Sequence, residues 1–164
     1  EIANGDPGTP VFQIPLTGEA VTPAGGLDAL ATDSGPSGPQ AEAGATPFED
    51  GVANLLKYAF NMDLSGPDTH TMVPGGDSGL PLFTVGEDGG QKFWRMEFVR
   101  GKASGLEYTL EQSTTLLEGS FAPVDLGPAQ ADDIDDFWER VSLEVIYDEV
   151  TEPKGFLRAR VRVP

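Results

Sequence analysis

A chain of 164 residues with 38% hydrophobic content has room for one core, and its 27 acidic against 10 basic residues give a formal net charge of −17. That field repels phosphate backbones and anionic lipid surfaces, which argues against nucleic acid as a partner. The chain has no cysteine, so disulfides, thiolate metal sites and thiol nucleophiles are excluded, and no apolar run is long enough for membrane insertion.

Residues 1–45 hold six acids and no base and are rich in Gly, Pro, Ala and Thr. Gly25-Gly26, Gly35-Pro36 and Gly38-Pro39 break any regular element, so this stretch is expected to be an acidic arm without a core of its own. One segment differs. In Val11-Phe12-Gln13-Ile14-Pro15-Leu16 the side chains of Phe12, Ile14 and Leu16 share one face, which predicts a single strand over 11–16. Pro10 and Pro15 cannot donate to a ladder, so that strand suits a sheet edge.

Helix signals concentrate in 46–60. Thr46 is a good N-cap, Pro47 fits the first helical position and Glu49 stands where a capping box places its carboxylate. Phe48, Val52, Leu55, Leu56 and Ala59 then form one apolar stripe, so a helix over 47–60 is expected to pack on the sheet that follows. If Leu55 lies in that stripe, Leu55→Ala costs about 2–5 kcal/mol.

Beyond the polar loop 64–79 the chain alternates. Strands are predicted at 80–85 and 92–99 around the hairpin turn Glu87-Asp88-Gly89-Gly90, at 106–112 after a turn at Lys102–Gly105, and at 121–126. Strands at 137–147 and 156–163 are expected to form the last pair, joined through 151–155. The closing strand sets Leu157, Ala159, Val161 and Val163 against Arg158, Arg160 and Arg162, which places those arginines opposite Glu107, Glu111 or Glu144. Six strands at this spacing predict a mainly β fold, an antiparallel β-sandwich with one short helix and an extended N-terminal arm.

Catalytic chemistry is thin. His70, the one histidine, lies in a Gly/Pro loop with no nucleophile motif beside it, and reads as a solvated loop residue. The sharpest charged cluster is Asp132-Asp133-Ile134-Asp135-Asp136, expected in a loop. Asp132, Asp133, Asp135 and Asp136 form a solvated acidic loop or, as the alternative, an oxygen cage for calcium.

Asp50-Gly51-Val52-Ala53-Asn54-Leu55-Leu56-Lys57-Tyr58-Ala59-Phe60-Asn61-Met62-Asp63 resembles the D-G-x-x-N-L-L-E-Y-A-x-G-x-D-P element of large secreted bacterial surface proteins of the Verrucomicrobia type. Leu106–Ser113 is similar to that family's Y-x-V-E-x-S strand, and Gly155–Val161 to its closing F-L-R-L-R-V strand. The resemblance implies a helix and C-terminal β-sandwich over 46–164, preceded by a calcium loop of the thrombospondin type 3 or dockerin kind. With Gly51 at the sixth loop position, Asp50 falls at the fifth and Asn54 at the ninth, but Thr46, Phe48 and Lys57 stand at the first, third and twelfth. A cation at the twelfth position opposes a metal directly, so the loop reads as one that has kept its helix and lost its ligands.

Two functional readings follow. The first is a non-enzymatic extracellular structural subunit that assembles with copies of itself into a fibre or surface layer by strand addition, with Val11, Phe12, Ile14 and Leu16 as the exchanged strand. The alternative is an adhesion or carbohydrate-binding module that holds a glycan through Trp94 or Trp138. The start at Glu1 rather than Met is the pattern of an exported, processed chain.

Overall fold

The computed structural model describes residues 35–113, 115, 117–124, 130–147 and 156–164. The predicted strand 11–16 and the connection 151–155 lie outside them. One helix, α1 (Asn54–Ala59), precedes seven strands: β1 (Leu82–Asp88), β2 (Gln91–Gly101), β3 (Glu107–Ser113), β4 (Ala122–Pro123), β5 (Gln130–Asp133), β6 (Trp138–Tyr147) and β7 (Phe156–Arg162). They form two antiparallel sheets, ordered β1-β2-β6-β5 and β4-β3-β7, whose apolar faces share one core: a mainly β sandwich.

Local chemistry explains the first hairpin. Gly89 and Gly90 both have positive φ, 58° and 83°, which a two-residue turn of the primed type needs at both central positions. That turn fixes the register so that Phe83 faces Met96 and Val85 faces Trp94. On β6, Leu143 lies opposite Met96 and Val141 opposite Phe98. The second sheet supplies Tyr108, Leu110, Ala159 and Val161, with Tyr108 opposite Val161 and Leu110 opposite Ala159. Phe60 wedges between the layers, its ring centroid 6.3 Å from Phe98 and 6.1 Å from Tyr108. The Tyr108 hydroxyl donates to the Ala59 carbonyl at 2.9 Å, and burial pushes its pKa up to about 12.

The outward face of β7 carries the charge pairing its alternation implied. Arg158 and Arg160 reach Glu111 at 2.7 and 3.4 Å, and Arg162 reaches Glu107 at 2.5 Å, while Glu144 pairs instead with Arg95. Arg158 also stacks 4.1 Å from the Phe121 ring.

Four expectations need correction. The helix is six residues long, not fourteen, because Glu49 and Gly51 take left-handed φ values of 55° and 79° and break the run before it. Its buried residues are Asn54, Lys57 and Ala59, and Leu55 is only half-buried and lies outside the core cluster. Strands 137–147 and 156–163 do not pair with each other: β6 joins the first sheet beside β2, and β7 joins the second beside β3. Finally, Asp132 and Asp133 are not in a loop but on β5, a seventh strand, where Asp132 sits opposite Arg140.

Two further segments complete the body. Residues 36–45 are bound to α1, since Asn54 Nδ2 donates to the Gln40 and Glu42 carbonyls at 2.8 and 3.0 Å. The loop 72–79 lies against the outer face of the first sheet, held by Arg140, whose Nε and Nη2 donate to the carbonyls of Gly76 and Gly75 at 2.9 and 2.6 Å. Met72 in this loop and Val99 on β2 are both buried.

Candidate functional site

Three places on the molecule combine chemistry with defined geometry. The first is the loop that enters α1. Lys57 is fully buried, and its ammonium lies 2.6 Å from Asp50 Oδ2, donates to the Gly66 carbonyl at 2.6 Å and stands 4.7 Å from the centre of the Phe48 ring. Asp50 also accepts the amides of Val52 and Asp68 at 3.0 and 2.8 Å. The Lys57 hydrogen bond, helped by those two amides, holds the Asp50 carboxyl at about 2. Around this pair Asp63 caps Ser65 and Asp68 accepts the Asp63 amide at 2.9 Å. Lys57 is therefore the cation around which this loop closes. Asp50, which meets it, lies between the two left-handed residues Glu49 and Gly51 where the predicted helical run breaks.

Because the folded Asp50 pKa lies below its ordinary 3.8, the pair's contribution is present above about pH 4 and is lost as pH falls towards about 2. Acid unfolding of the wild type should therefore lose stability in that window, whereas Asp50→Asn should lose less there. Parallel acid titrations of the two proteins by circular dichroism measure this, and identical curves would remove Asp50 from the account.

The second place is the turn around His70. Its Nδ1 lies 2.6 Å from Asp68 Oδ1 and its Nε2 lies 3.3 Å from Ser78 Oγ, so carboxylate, imidazole and hydroxyl fall in line. The order is that of a nucleophilic triad, set in an exposed turn where the His70 side chain is 47% exposed. The Asp68 carboxylate raises the His70 pKa against the lowering effect of burial, and a hydrogen bond to the Ser78 backbone raises it further, which favours the charged ring. Gly79 fits this packing, since a Cβ there would come within 2.7 Å of the ring. His70 is thus a solvent-exposed loop residue, as its surroundings in the sequence indicate, whose ring also bridges Asp68 and Ser78 across the turn.

The acidic cluster is dispersed. Asp133 Oδ1 pairs with Lys102 at 2.9 Å, and Asp135 Oδ1 accepts the amides of Phe137 and Trp138 at 2.7 and 2.8 Å, while Asp132 and Asp136 are exposed. Among the described residues no group of three or more His, Cys, Asp or Glu is arranged to hold a metal ion.

The third place is a seam where the two sheets part. Phe83 and Val85 share the face of β1–β2 that buries Met96, yet they remain 43% and 68% exposed. With Thr84, Trp94, Phe156 and Leu157 they line an apolar groove of about 280 Å³ between β1 and β7. Both strands are edges: among the described residues β1 pairs with β2 alone and β7 with β3 alone. Sequence alternation placed Trp94 on an inward face but carried no sign that the sheet beside it ends uncovered. No family model, no curated protein and no solved structure matches the chain.

Proposed function

We propose that this chain is a non-enzymatic structural subunit, acting outside the cell, that assembles with copies of itself by strand addition at the seam beside β1. The observation that carries the reading is the unprotected edge itself. Five of the seven residues of β1, Leu82–Gly86, contain no charge and no proline, so the charges that keep a sheet edge from pairing are confined to its end at Glu87-Asp88, and the inner side chains Phe83 and Val85 are left half-covered or bare. β7 differs, because Arg158, Arg160 and Arg162 guard it. Placement outside the cell rests on the resemblance of the helix and strand motifs to secreted surface proteins.

Sedimentation at several concentrations tests the proposal. The average mass of the wild type should rise with concentration, and Val85→Lys, which puts an edge cation into the groove, should hold the protein monomeric. A wild type that stays monomeric throughout would end the proposal.

A second reading is favoured by the aromatic lining of the same groove, where Trp94, Phe83 and Phe156 offer faces on which a sugar ring stacks. Retention on a polysaccharide column that Trp94→Ala abolishes, without a change in mass, would select that reading instead.

A further inference from the structure

We infer that the occupant of the seam is this chain's own segment Val11–Leu16, laid along β1 as an added edge strand. The inference rests on the seam's being a strand acceptor, and it adds which strand fills it and how. Four features of the chain converge. The groove needs alternate apolar side chains to cover Phe83 and Val85, and Phe12, Ile14 and Leu16 provide them at the two-residue spacing of a strand. Six extended residues span about 20 Å at ~3.3 Å each, enough to run beside most of the seven-residue β1.

Pro15 agrees with the same placement. Successive residues of a strand direct their backbone groups to opposite sides, so if Phe12, Ile14 and Leu16 bond to β1, the missing amide of Pro15 points outward. The new edge then carries a proline where a further strand would need a donor, which caps the sheet against continued pairing.

The tether is also long enough. The 18 residues from Thr17 to Ser34 reach about 60 Å when extended, whereas a domain of this size has a radius of gyration of only about 15 Å. The segment can thus reach the seam of its own body or that of a neighbour. At low concentration the tether favours its own seam, because it keeps the segment at an effective concentration in the millimolar range. At higher concentration the same contact is exchanged between copies, which is domain swapping and builds the assembly proposed above. One groove and one strand then account for both a closed monomer and its assembled form.

The chain contains no cysteine, which permits a direct test in the full-length protein. Opposed residues on neighbouring strands lie about 4.5–5.5 Å apart at Cα, within the range a disulfide bridges. Ile14→Cys combined with Val85→Cys, or with Phe83→Cys to allow for a shifted register, should oxidise on the order of tenfold faster than Ile14→Cys combined with Leu117→Cys at an exposed site off the seam. Bridges within single chains when dilute, and between chains when concentrated, are the expected result. Bridges confined to single chains at every concentration, with a constant mass, would keep the occupant and overturn the self-assembly reading. Equal or absent oxidation at the seam positions, in a protein whose mass still rises with concentration, would overturn the occupant and leave self-assembly standing.

Discussion

Phe60→Ala should lower the unfolding free energy by about 3–5 kcal/mol, the loss expected when a large aromatic side chain is removed from a packed core. Phe60 is 2% exposed and, contributed from outside the sheets, touches an aromatic ring of each layer. Its backbone is tied in as well: its amide donates to the Leu56 carbonyl at 3.0 Å, and its carbonyl accepts from Gly79 at 3.1 Å. Neighbours held from both sides collapse poorly into the vacated volume, so most of the cavity cost should remain. Urea unfolding followed by tryptophan fluorescence would read the change, together with a drop in melting temperature of roughly 10 °C. Leu55→Ala serves as the contrast. With Leu55 half-buried outside the core cluster, its cost should fall below about 1 kcal/mol, well under what the helical stripe alone implied. Equal losses at the two positions would mean that the helix packs through its leucines after all.

Lys57→Met should cost a comparable amount, about 3–5 kcal/mol, because removing one partner of a buried ion pair leaves the other charge uncompensated. Methionine keeps the stem's volume but cannot donate to the Gly66 carbonyl or to Asp50. The pair is distinguishable from ordinary surface bridges, which typically contribute under about 1 kcal/mol, by a double-mutant cycle. Asp50→Asn with Lys57→Met should recover part of the single-variant loss, since no buried charge is then left uncompensated and the asparagine oxygen still accepts one of the two amides, that of Val52 at the Oδ1 position or that of Asp68 at the Oδ2 position. A double variant as unstable as the sum of the two singles would show that Lys57 acts through packing alone.

Much of the sheet architecture was legible because it is local. Gly89-Gly90 announces its turn, and the Leu/Ala/Val against Arg alternation of β7 announces both its faces. Which strand pairs with which is a different matter. Alternation in β6 and β7 identifies strands without naming partners, and the choice of β3 for β7 is expressed in the Arg158–Glu111 and Arg162–Glu107 contacts across 47 and 55 residues. β5 was hidden for a related reason: Gln-Ala-Asp-Asp has no apolar rhythm and becomes a strand through pairing with β6, where Arg140 faces Asp132. Around α1 the local signals misled. Thr46, Pro47 and Glu49 satisfy the rules of a helix start, but the backbone turns left-handed at Glu49 and Gly51 beside the Asp50–Lys57 pair, a contact between residues seven apart that helix-start rules do not register. The seam lay further still from view, since an edge is defined by what is missing beside it.

The lysine at the centre of the α1 loop also determines what the fold depends on. A loop closed by a bound ion has a stability that follows the concentration of that ion in its surroundings, by mass action. Lys57 is covalently part of the chain, so the charge that closes this loop is delivered in a fixed ratio of one per molecule and cannot be diluted away, chelated or exchanged. For the loop around α1, the transition between dilute and ion-rich media should therefore be silent, and the chain carries with it a contact that ion-binding loops must gather from their environment.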